Sequence, residues 1–401
     1  MKCRVCDGAN LDQVLDLGHQ PWCNNFLTEK QLNTEPRYPL RLMYCEDCCT
    51  SQLDYTVDKE VMFGDHTYLS GITESLSEHF RHIAEDVDKR FGSAFQNKNV
   101  LDIGSNDGTQ LKHFQNLGWK VLGVESSKTT AAIANSNGIP TLNRFFNLEC
   151  IKDINQKFSV FNAAGVFFHL EELHSVTEAI KEGLEENGVF VVQFLYMKSI
   201  MENNAFDQIY HEHLLYYTLE TIQRLLGHHG LEVFDAFLAP IHGGQMIAYV
   251  GHQGVRDTTK RFMDIATQEA VSGCNTKSAY IEFAQRVEQI KHRDLEYLAR
   301  KRREGKRIFG MGAPVKGNTL LNYFGVGPST IECLLEKNDL RRDLYSPGMH
   351  IPIRMETEIE EWPDVFYVLA WNFKSEILKN HKDLIERGVE FYFPIDPKVP
   401  A

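Results

Sequence analysis

The chain has 401 residues, 43% of them hydrophobic and 24% charged, which is typical of a globular protein with two or three domains. Lys and Arg total 42 against 55 Asp and Glu, so the net charge is -13. This charge excludes a general affinity for nucleic-acid backbones, but it does not exclude a local basic pocket that binds a small anion. No run approaches about 18 apolar residues and no apolar segment follows Met1. We therefore expect neither a membrane span nor a signal peptide, and a cytoplasmic protein.

Three blocks follow one another along the chain. Residues 1–70 are rich in Cys, Pro and Asn and show little helical period. Residues 71–279 alternate amphipathic helices with short apolar strands, a pattern typical of a parallel α/β sheet. Residues 280–401 begin with a long charged helix and then repeat the order of strand, glycine loop and helix. We predict an α/β protein in which a small N-terminal metal-binding domain precedes two Rossmann-like domains with parallel sheets.

Two Cys-x-x-Cys pairs lie in the first block. Each pair can present two thiolates from a tight turn, and two such turns make a tetrahedral four-sulfur site that suits zinc. A closed site of this kind leaves no position for water, so we predict a structural zinc ion rather than a catalytic one. Cys49 is an alternative fourth ligand, and a set of unrelated buried thiols is the other interpretation. The predicted ligands are Cys3, Cys6, Cys45 and Cys48.

A glycine turn follows the first apolar strand of the second block. The strand begins at Asn99, and the turn Gly104-Ser-Asn-Asp-Gly108 leads into a helical pattern. A second strand ends at Glu125, where a carboxylate can accept hydrogen bonds from both hydroxyls of a ribose. The turn lacks the third glycine that cradles a pyrophosphate, which favours S-adenosylmethionine over NAD. An α/β turn without a ligand is the alternative. The predicted cofactor-binding residues are Gly104, Ser105, Asn106, Gly108 and Glu125.

The segment from Tyr210 to His213 is the densest group of titratable side chains, and it follows a predicted strand. The carboxyl ends of parallel strands face the ligand crevice, so these side chains would lie there. Tyr210 and His213 would share a face if the segment were helical, and a histidine is the most common general base near neutral pH. His169 follows another apolar run and would face the same crevice. A second metal site including Glu212, or a polar surface loop, are the alternatives.

Three further segments offer groups for an anionic substrate. Lys316 begins the helix after a second glycine turn, where backbone N–H groups and the helix dipole attract anions. The glycines after His242 allow a close approach of the backbone, and Asn372 ends an apolar strand and would contact a base or ribose. A plain helix start with a solvated lysine is the alternative for Lys316. The predicted substrate-binding residues are His242, Gly243, Gly244, Lys316, Asn318 and Asn372.

With these residues in view, the chain resembles the sugar C-methyltransferases that act on nucleotide-linked keto sugars. The resemblance extends over nearly the whole length. Besides the two cysteine pairs, it rests on the motifs Leu17-Gly-His-Gln-Pro21, Asp102-Ile-Gly-Ser-Asn-Asp-Gly108, Tyr210-His-Glu-His213, Ile241-His-Gly-Gly244, Val315-Lys-Gly-Asn-Thr-Leu-Leu-Asn-Tyr323, Tyr345-Ser-Pro-Gly-Met-His-Ile-Pro-Ile353 and Leu369-Ala-Trp-Asn372.

The resemblance implies a zinc-binding domain, an S-adenosylmethionine domain and a C-terminal nucleotide-sugar-binding domain. It also implies methylation at C3 of a dTDP-linked 4-keto deoxysugar, giving a branched-chain sugar. By motif, His213 corresponds to the catalytic base, Tyr210 and Glu212 to its companions, His169 to a further histidine, and Tyr68 to a tyrosine after the zinc domain.

Two other functions remain alternatives from sequence. One is an O- or N-methyltransferase that uses the same donor, and the other is a zinc module without enzyme activity. We expect a nucleotide-sugar substrate, no nucleic-acid or membrane partner, and a monomer or weak dimer.

Overall fold

Three β-sheets organise the residues that the computed structural model describes, which are 1–63, 74–241 and 243–396. The strands are β1 (Leu11–Pro21), β2 (Arg37–Cys45), β3 (Ser51–Leu53), β4 (Asn99–Ile103), β5 (Lys120–Glu125), β6 (Thr141–Asn143), β7 (Phe158–Ala164), β8 (Leu184–Leu195), β9 (Leu215–Tyr216), β10 (Leu231–Ala239), β11 (Gln245–His252), β12 (Ile308–Met311), β13 (Leu334–Glu336), β14 (Ile353–Met355), β15 (Val365–Val368) and β16 (Glu390–Tyr392). The α-helices are α1 (Lys59–Phe63), α2 (Glu74–Phe91), α3 (Thr109–Asn116), α4 (Lys128–Ser136), α5 (Leu148–Ile154), α6 (Leu173–Gly183), α7 (Met197–Asn203), α8 (Leu219–His228), α9 (Lys260–Ser272), α10 (Lys277–Arg303), α11 (Val315–Phe324), α12 (Lys374–Asn380) and α13 (Lys382–Glu386).

The N-terminal sheet has four antiparallel strands in the order β1-β2-β3-β9. Strands β1 and β2 pair from Leu11 with Cys45 at one end to Pro21 with Arg37 at the other. The fourth strand, β9, belongs to the second block of the sequence and directly follows the Tyr210–His213 segment. The N-terminal domain is therefore joined by backbone hydrogen bonds to the part of the chain that holds the candidate catalytic residues.

The second sheet has seven strands in the order β10-β11-β8-β7-β4-β5-β6. Strands β4 to β8 run parallel, as predicted, and the first of them is buried throughout, as is usual for strands covered on both faces. Strands β10 and β11 add an antiparallel pair at one edge, which the sequence pattern did not indicate. The carboxyl ends of the neighbouring strands β4 and β7 contribute to the crevice described below.

The C-terminal sheet has five parallel strands in the order β14-β13-β12-β15-β16. The long helix α10 precedes it and begins three residues earlier than predicted, because the Thr276 side chain accepts a hydrogen bond from the Ala279 backbone N–H and caps it. Helix α11 lies against residues 206–208, with the rings of Phe206 and Phe324 5.7 Å apart. The C-terminal domain therefore contacts the chain just before the candidate catalytic segment.

One continuous apolar cluster includes buried residues from all three sheets, among them Leu42, Phe190 and Tyr367. The domains thus share a core, because apolar side chains from each remove surface from water at the same junction. Of the helices within the described residues, none is both long enough and apolar enough to span a bilayer.

Candidate active site

The four predicted zinc ligands come together next to the start of the β1–β2 pair. All four sulfur atoms lie within 4.8 Å of one another, with Cys3 and Cys48 3.5 Å apart and Cys6 and Cys45 3.6 Å apart. A tetrahedron with Zn–S bonds of about 2.3 Å has edges of about 3.8 Å, so the donors and their spacing fit a zinc ion. Cys49 instead contacts the Tyr44 hydroxyl, which answers the question of the fourth ligand in favour of Cys48.

The predicted methyl-donor crevice lies where β4 ends. Glu125 is held there by two backbone N–H groups: that of Asn106 donates to Oε2 and that of Ser127 to Oε1, both at 2.8 Å. The Ser126 and Thr130 side chains also hydrogen-bond this carboxyl group, so its contact with a ribose diol stays a prediction. Burial raises the pKa of Glu125. The residues lining the crevice are Phe80, Asp102, Gly104, Ser105, Asn106, Gln110 and Ala164.

The glycines of the turn are required mainly by the protein's own packing. Gly104 has φ +67°, and a Cβ there would lie 2.6 Å from the Val166 side chain. Gly108 has φ +81°, and its Cβ would lie 3.0 Å from Ile139. Packing against Ile139 therefore already requires a glycine at position 108, whether or not a ligand approaches it. The Ser105 hydroxyl faces Gly123 across the turn. The contacts of Gly104, Ser105 and Gly108 with a cofactor stay predictions.

Asp102 is a further acidic group in this crevice, although it was not among the predicted site residues. It is 3% exposed, and the Asn162 amide donates a hydrogen bond of 2.6 Å to its Oδ1. Burial raises the pKa of Asp102 to about 7. Its position inside an apolar strand was the signal in the sequence that could have selected it.

The Tyr210–His213 segment is a turn rather than a helix. The His213 backbone N–H donates to the Tyr210 carbonyl at 2.8 Å, and this places the two rings 3.8 Å apart at their centroids. The His213 Nδ1–H donates to the Gln208 carbonyl at 2.7 Å, which favours the tautomer whose lone pair is on Nε2. The His169 ring lies 5.1 Å from that of His213, and its Nδ1–H donates to the Glu212 backbone carbonyl.

The two histidines of the turn face different surroundings. His211 packs against Tyr38 and contacts the Pro39 carbonyl at 3.3 Å, and burial lowers its pKa to about 4. It therefore faces the N-terminal domain, away from His213. Among the described residues, the cysteine cluster is the one group of three or more potential ligands close enough to hold a metal, so the second metal site considered from sequence is not supported.

Glu212 is buried beneath the N-terminal domain. Its Oε1 accepts a hydrogen bond of 2.6 Å from the indole Nε1–H of Trp22, and burial raises its pKa to about 7. Trp22 directly follows the Leu17–Pro21 motif, yet nothing in the sequence indicated that it would meet a residue so far along the chain.

Lys316 is at the start of α11, as predicted, but its ammonium group is partly desolvated. Its Nζ lies 3.6 Å from the centroid of the Trp371 ring, and burial lowers the pKa of Lys316 to about 8. The Trp371 Nε1–H donates to Oδ2 of Asp207 at 2.7 Å. Oδ1 of Asp207 is buried without a hydrogen-bond partner among the described residues. The sequence interpretation missed both Trp371 and Asp207.

The other predicted substrate-binding residues that the structure describes are Gly243, Gly244, Asn318 and Asn372. Gly243 has φ +91°, and a Cβ there would lie 2.7 Å from Trp371; Gly244 has φ +103°. The Asn318 amide is buried and donates to the Cys23 carbonyl at 2.7 Å, so it holds the chain after β1. Asn372 lies in a short 3-10 turn, not at the end of a strand as expected.

Two predicted site residues, Tyr68 and His242, lie outside the described residues.

Three family models match successive parts of the chain. A zinc binding domain matches residues 3–63, a methyltransferase domain matches 76–236, and a C-methyltransferase C-terminal domain matches 240–396. A curated relative, the C-methyltransferase NovU of Streptomyces niveus, is 29% identical over 405 residues, which cover 99% of this chain and 96% of the relative. These matches support a C-methyltransferase over the O- and N-methyltransferase and non-enzymatic alternatives.

Solved methyltransferase structures also align with part of the chain. The CcbJ methyltransferase from Streptomyces caelestis is 16% identical, with a TM-score of 0.34, and covers 44% of this chain and 90% of its own. The plantazolicin methyltransferase BpumL in complex with SAH is 14% identical, with a TM-score of 0.35, and the alignment covers 43% of this chain and 82% of that protein.

Proposed function

We propose that this chain, which belongs to the S-adenosylmethionine-dependent C-methyltransferases with an N-terminal zinc-binding domain, methylates C3 of a nucleotide-linked 4-keto deoxysugar and so makes a branched-chain sugar. The observation that carries the proposal is the pairing of His213 and Tyr210. Their rings lie 3.8 Å apart, and the backbone fixes the His213 tautomer through Nδ1. A base beside a hydroxyl donor is what removal of a proton next to a ketone requires.

The His213 Nε2 atom is the proposed base. It would take the proton from C3 of the sugar, and the electron pair of that C–H bond would move onto the C4 oxygen as an enolate. A positioned base contributes a factor of about 10²–10⁴ to the rate. Because the Gln208 carbonyl holds Nδ1–H, the imidazole presents Nε2 without a rearrangement of tautomers.

The Tyr210 hydroxyl is the proposed donor to the enolate oxygen. Burial raises its pKa well above the ordinary value, so the hydroxyl keeps its proton and can donate. Such a donor contributes about 3–4 kcal/mol to transition-state stabilisation. His169, whose Nδ1–H donates to the Glu212 carbonyl, can donate from Nε2 only as the imidazolium, whereas the Tyr210 hydroxyl donates in its neutral form and is the better donor. Tyr68 stays a predicted further member of this group.

The donor would be S-adenosylmethionine, which when bound would supply an electrophilic methyl group to the C3 carbon and leave as S-adenosylhomocysteine. Glu125, Asp102 and the Gly104–Gly108 turn would hold it at the carboxyl ends of β4 and β5. The zinc ligands form a separate closed site at the other end of β1, so the zinc ion would be structural.

The substrate's nucleotide diphosphate would bind on the C-terminal domain. Lys316 offers a cation at the start of α11, and Gly243 allows the backbone to approach closely beside Trp371. Lys316 is positively charged, whereas the whole molecule has a net charge of -13. Lys316 would therefore attract the diphosphate only at short range.

A mass-spectrometric assay tests the proposal. The purified protein is incubated with S-adenosylmethionine and a panel of dTDP-, GDP- and CDP-linked 4-keto deoxysugars, and products are examined for one added methyl group. We expect a methyl group on a sugar carbon, located at C3 by NMR. Methylation at C5, or of a substrate without a ketone, would contradict the proposed reaction.

A further inference from the structure

The N-terminal domain reaches the catalytic turn through the residues that follow β1. The Trp22 indole N–H donates to Glu212, 190 residues further along the chain, at 2.6 Å. The Asn24 side chain also hydrogen-bonds the Glu212 carboxyl group. Glu212 is 6% exposed, so these two donors take the place of the water that would otherwise solvate its charge.

This segment is anchored before and after the tryptophan. Strand β1 is paired with β2 up to Pro21. The Asn318 side chain then donates to the Cys23 carbonyl at 2.7 Å. Four residues later, the backbones of Leu27 and Tyr345 exchange two hydrogen bonds of 3.0 and 2.8 Å. The indole N–H is therefore presented from a backbone that two domains hold in place.

The groups around Glu212 are otherwise poor partners for a carboxylate. The Cys23 thiol and the Tyr210 phenol face it, and the His169 ring donates to its backbone carbonyl rather than to its carboxylate. No lysine or arginine in the described part of the chain forms an ion pair with it. An indole N–H can only donate and does not titrate in the accessible range, so it favours the ionised carboxylate at every pH.

We propose that Trp22 is a positioning residue for methyl transfer, whose indole N–H orients the Glu212 carboxylate and favours its ionised form. The inference rests on the proposed function, with Glu212 taking part in the reaction as the companion of the base to which it corresponds by motif. It assigns to the N-terminal domain a contribution to the chemistry that is separate from its zinc site.

Burial and hydrogen bonding act in opposite directions on this group. Burial raises the pKa of Glu212, and the hydrogen bonds from Trp22 and Asn24 lower it; with both effects included, the pKa is about 7. Removal of the indole N–H leaves the burial unchanged, so the carboxyl group should hold its proton to a higher pH.

The experiment is an infrared titration of the substrate-free protein between pH 5 and 9. The carboxyl stretch of Glu212 is identified as the band that Glu212→Gln removes, which separates it from Asp102, whose pKa is also about 7. Trp22→Phe should move the midpoint of this band upward by about one pH unit, equivalent to about 1.4 kcal/mol. The acidic limb of kcat against pH should move by the same amount, with KM nearly unchanged.

Trp119→Phe is the matched control. It also removes an indole N–H that donates to a carboxylate, that of Asp88 at 2.8 Å, in the donor domain. It should leave the Glu212 midpoint and the acidic limb at the wild-type pH. The Trp22→Phe variant is compared with it for thermal unfolding and for S-adenosylmethionine binding.

The outcomes separate this inference from the proposed function. An unchanged Glu212 midpoint in Trp22→Phe overturns the inference even if the enzyme methylates its sugar as proposed. A raised midpoint with no change in the pH profile overturns the role in catalysis. Full activity in Glu212→Gln would instead contradict the participation of Glu212 in the reaction that the family resemblance implies.

Discussion

The ammonium nitrogen of Lys316 lies 3.6 Å from the centroid of the Trp371 ring. A lysine in this position is partly desolvated, and burial lowers its pKa to about 8. The aromatic face stabilises the cation, but it cannot accept hydrogen bonds as the oxygens of an anionic ligand would. A nucleotide diphosphate that contacts Lys316 would therefore gain more than it would from a solvated surface lysine.

Replacement of this lysine tests the binding site. Lys316→Met should raise the KM for the nucleotide sugar about 10- to 100-fold, because a hydrogen bond to a charged group contributes about 1.5–3 kcal/mol, and should change kcat less. In the wild type, KM should also rise as the pH increases through about 8, since the ammonium then loses its proton. Initial rates over a range of substrate concentrations at pH 7 and 9 measure both effects.

Lys291→Met is the control, since Lys291 also lies over an aromatic ring, that of Tyr323 at 4.2 Å, but is on helix α10. It should bind substrate as the wild type does. Equal KM values in Lys316→Met and the wild type would exclude Lys316 from diphosphate binding.

The base is tested by isotope exchange. His213→Gln should slow deuterium exchange from solvent into C3 of the substrate by a factor of about 10²–10⁴, because the variant lacks the proposed base. The exchange is measured by NMR without turnover, using S-adenosylhomocysteine in the donor site. His211→Gln changes a histidine two residues away that faces Pro39, and it should retain exchange. Wild-type exchange in His213→Gln would show that another residue is the base.

The sequence predicted the parts of this molecule that follow from local pattern. The cysteine spacing predicted the zinc ligands, and the strand and glycine turn from Asn99 to Gly108 predicted the donor crevice. Tyr210 and His213 were placed together for the wrong reason, since a turn and not a helix brings their rings into contact. Contacts between domains were not predictable. Trp22 donates to Glu212 and Trp371 donates to Asp207, but the two residues of each pair are far apart in the sequence, and no local sequence pattern connects them.

The choice of fourth zinc ligand gives a prediction with a built-in control. Cys48→Ser should release zinc at a chelator concentration that leaves the wild type loaded, because zinc prefers thiolate donors and a structural zinc site contributes about 10–16 kcal/mol to folding. Cys49→Ser should keep its zinc, since that side chain contacts Tyr44. Metal content after dialysis, measured by atomic emission, distinguishes the two; zinc loss from Cys49→Ser instead would reverse the assignment.

The buried Asp102 should make the substrate-free protein less stable as the pH rises. Its pKa is about 7 when folded, whereas an ordinary Asp titrates near 3.9. Between these values the folded state keeps a proton that the unfolded chain releases, so the free energy of unfolding falls as pH increases and then levels off above about 7. From pH 5 to 7 the loss would amount to at most about 3 kcal/mol. Asp102→Asn keeps an acceptor for Asn162 and should remove this part of the decline.

Calorimetry of both proteins at pH 5 and 8, without S-adenosylmethionine, measures the difference. Asp88→Asn is the control with the opposite sign: Lys98 and Trp119 hydrogen-bond that carboxylate and lower its pKa, so its contribution is constant above pH 5. Asp88→Asn should therefore lower the free energy of unfolding by the same amount at both pH values. The decrease in this free energy from pH 5 to pH 8 should be as large as in the wild type. If Asp102→Asn declines as steeply as the wild type, then Asp102 is already ionised at pH 5 and another buried group, such as Glu212, causes the dependence.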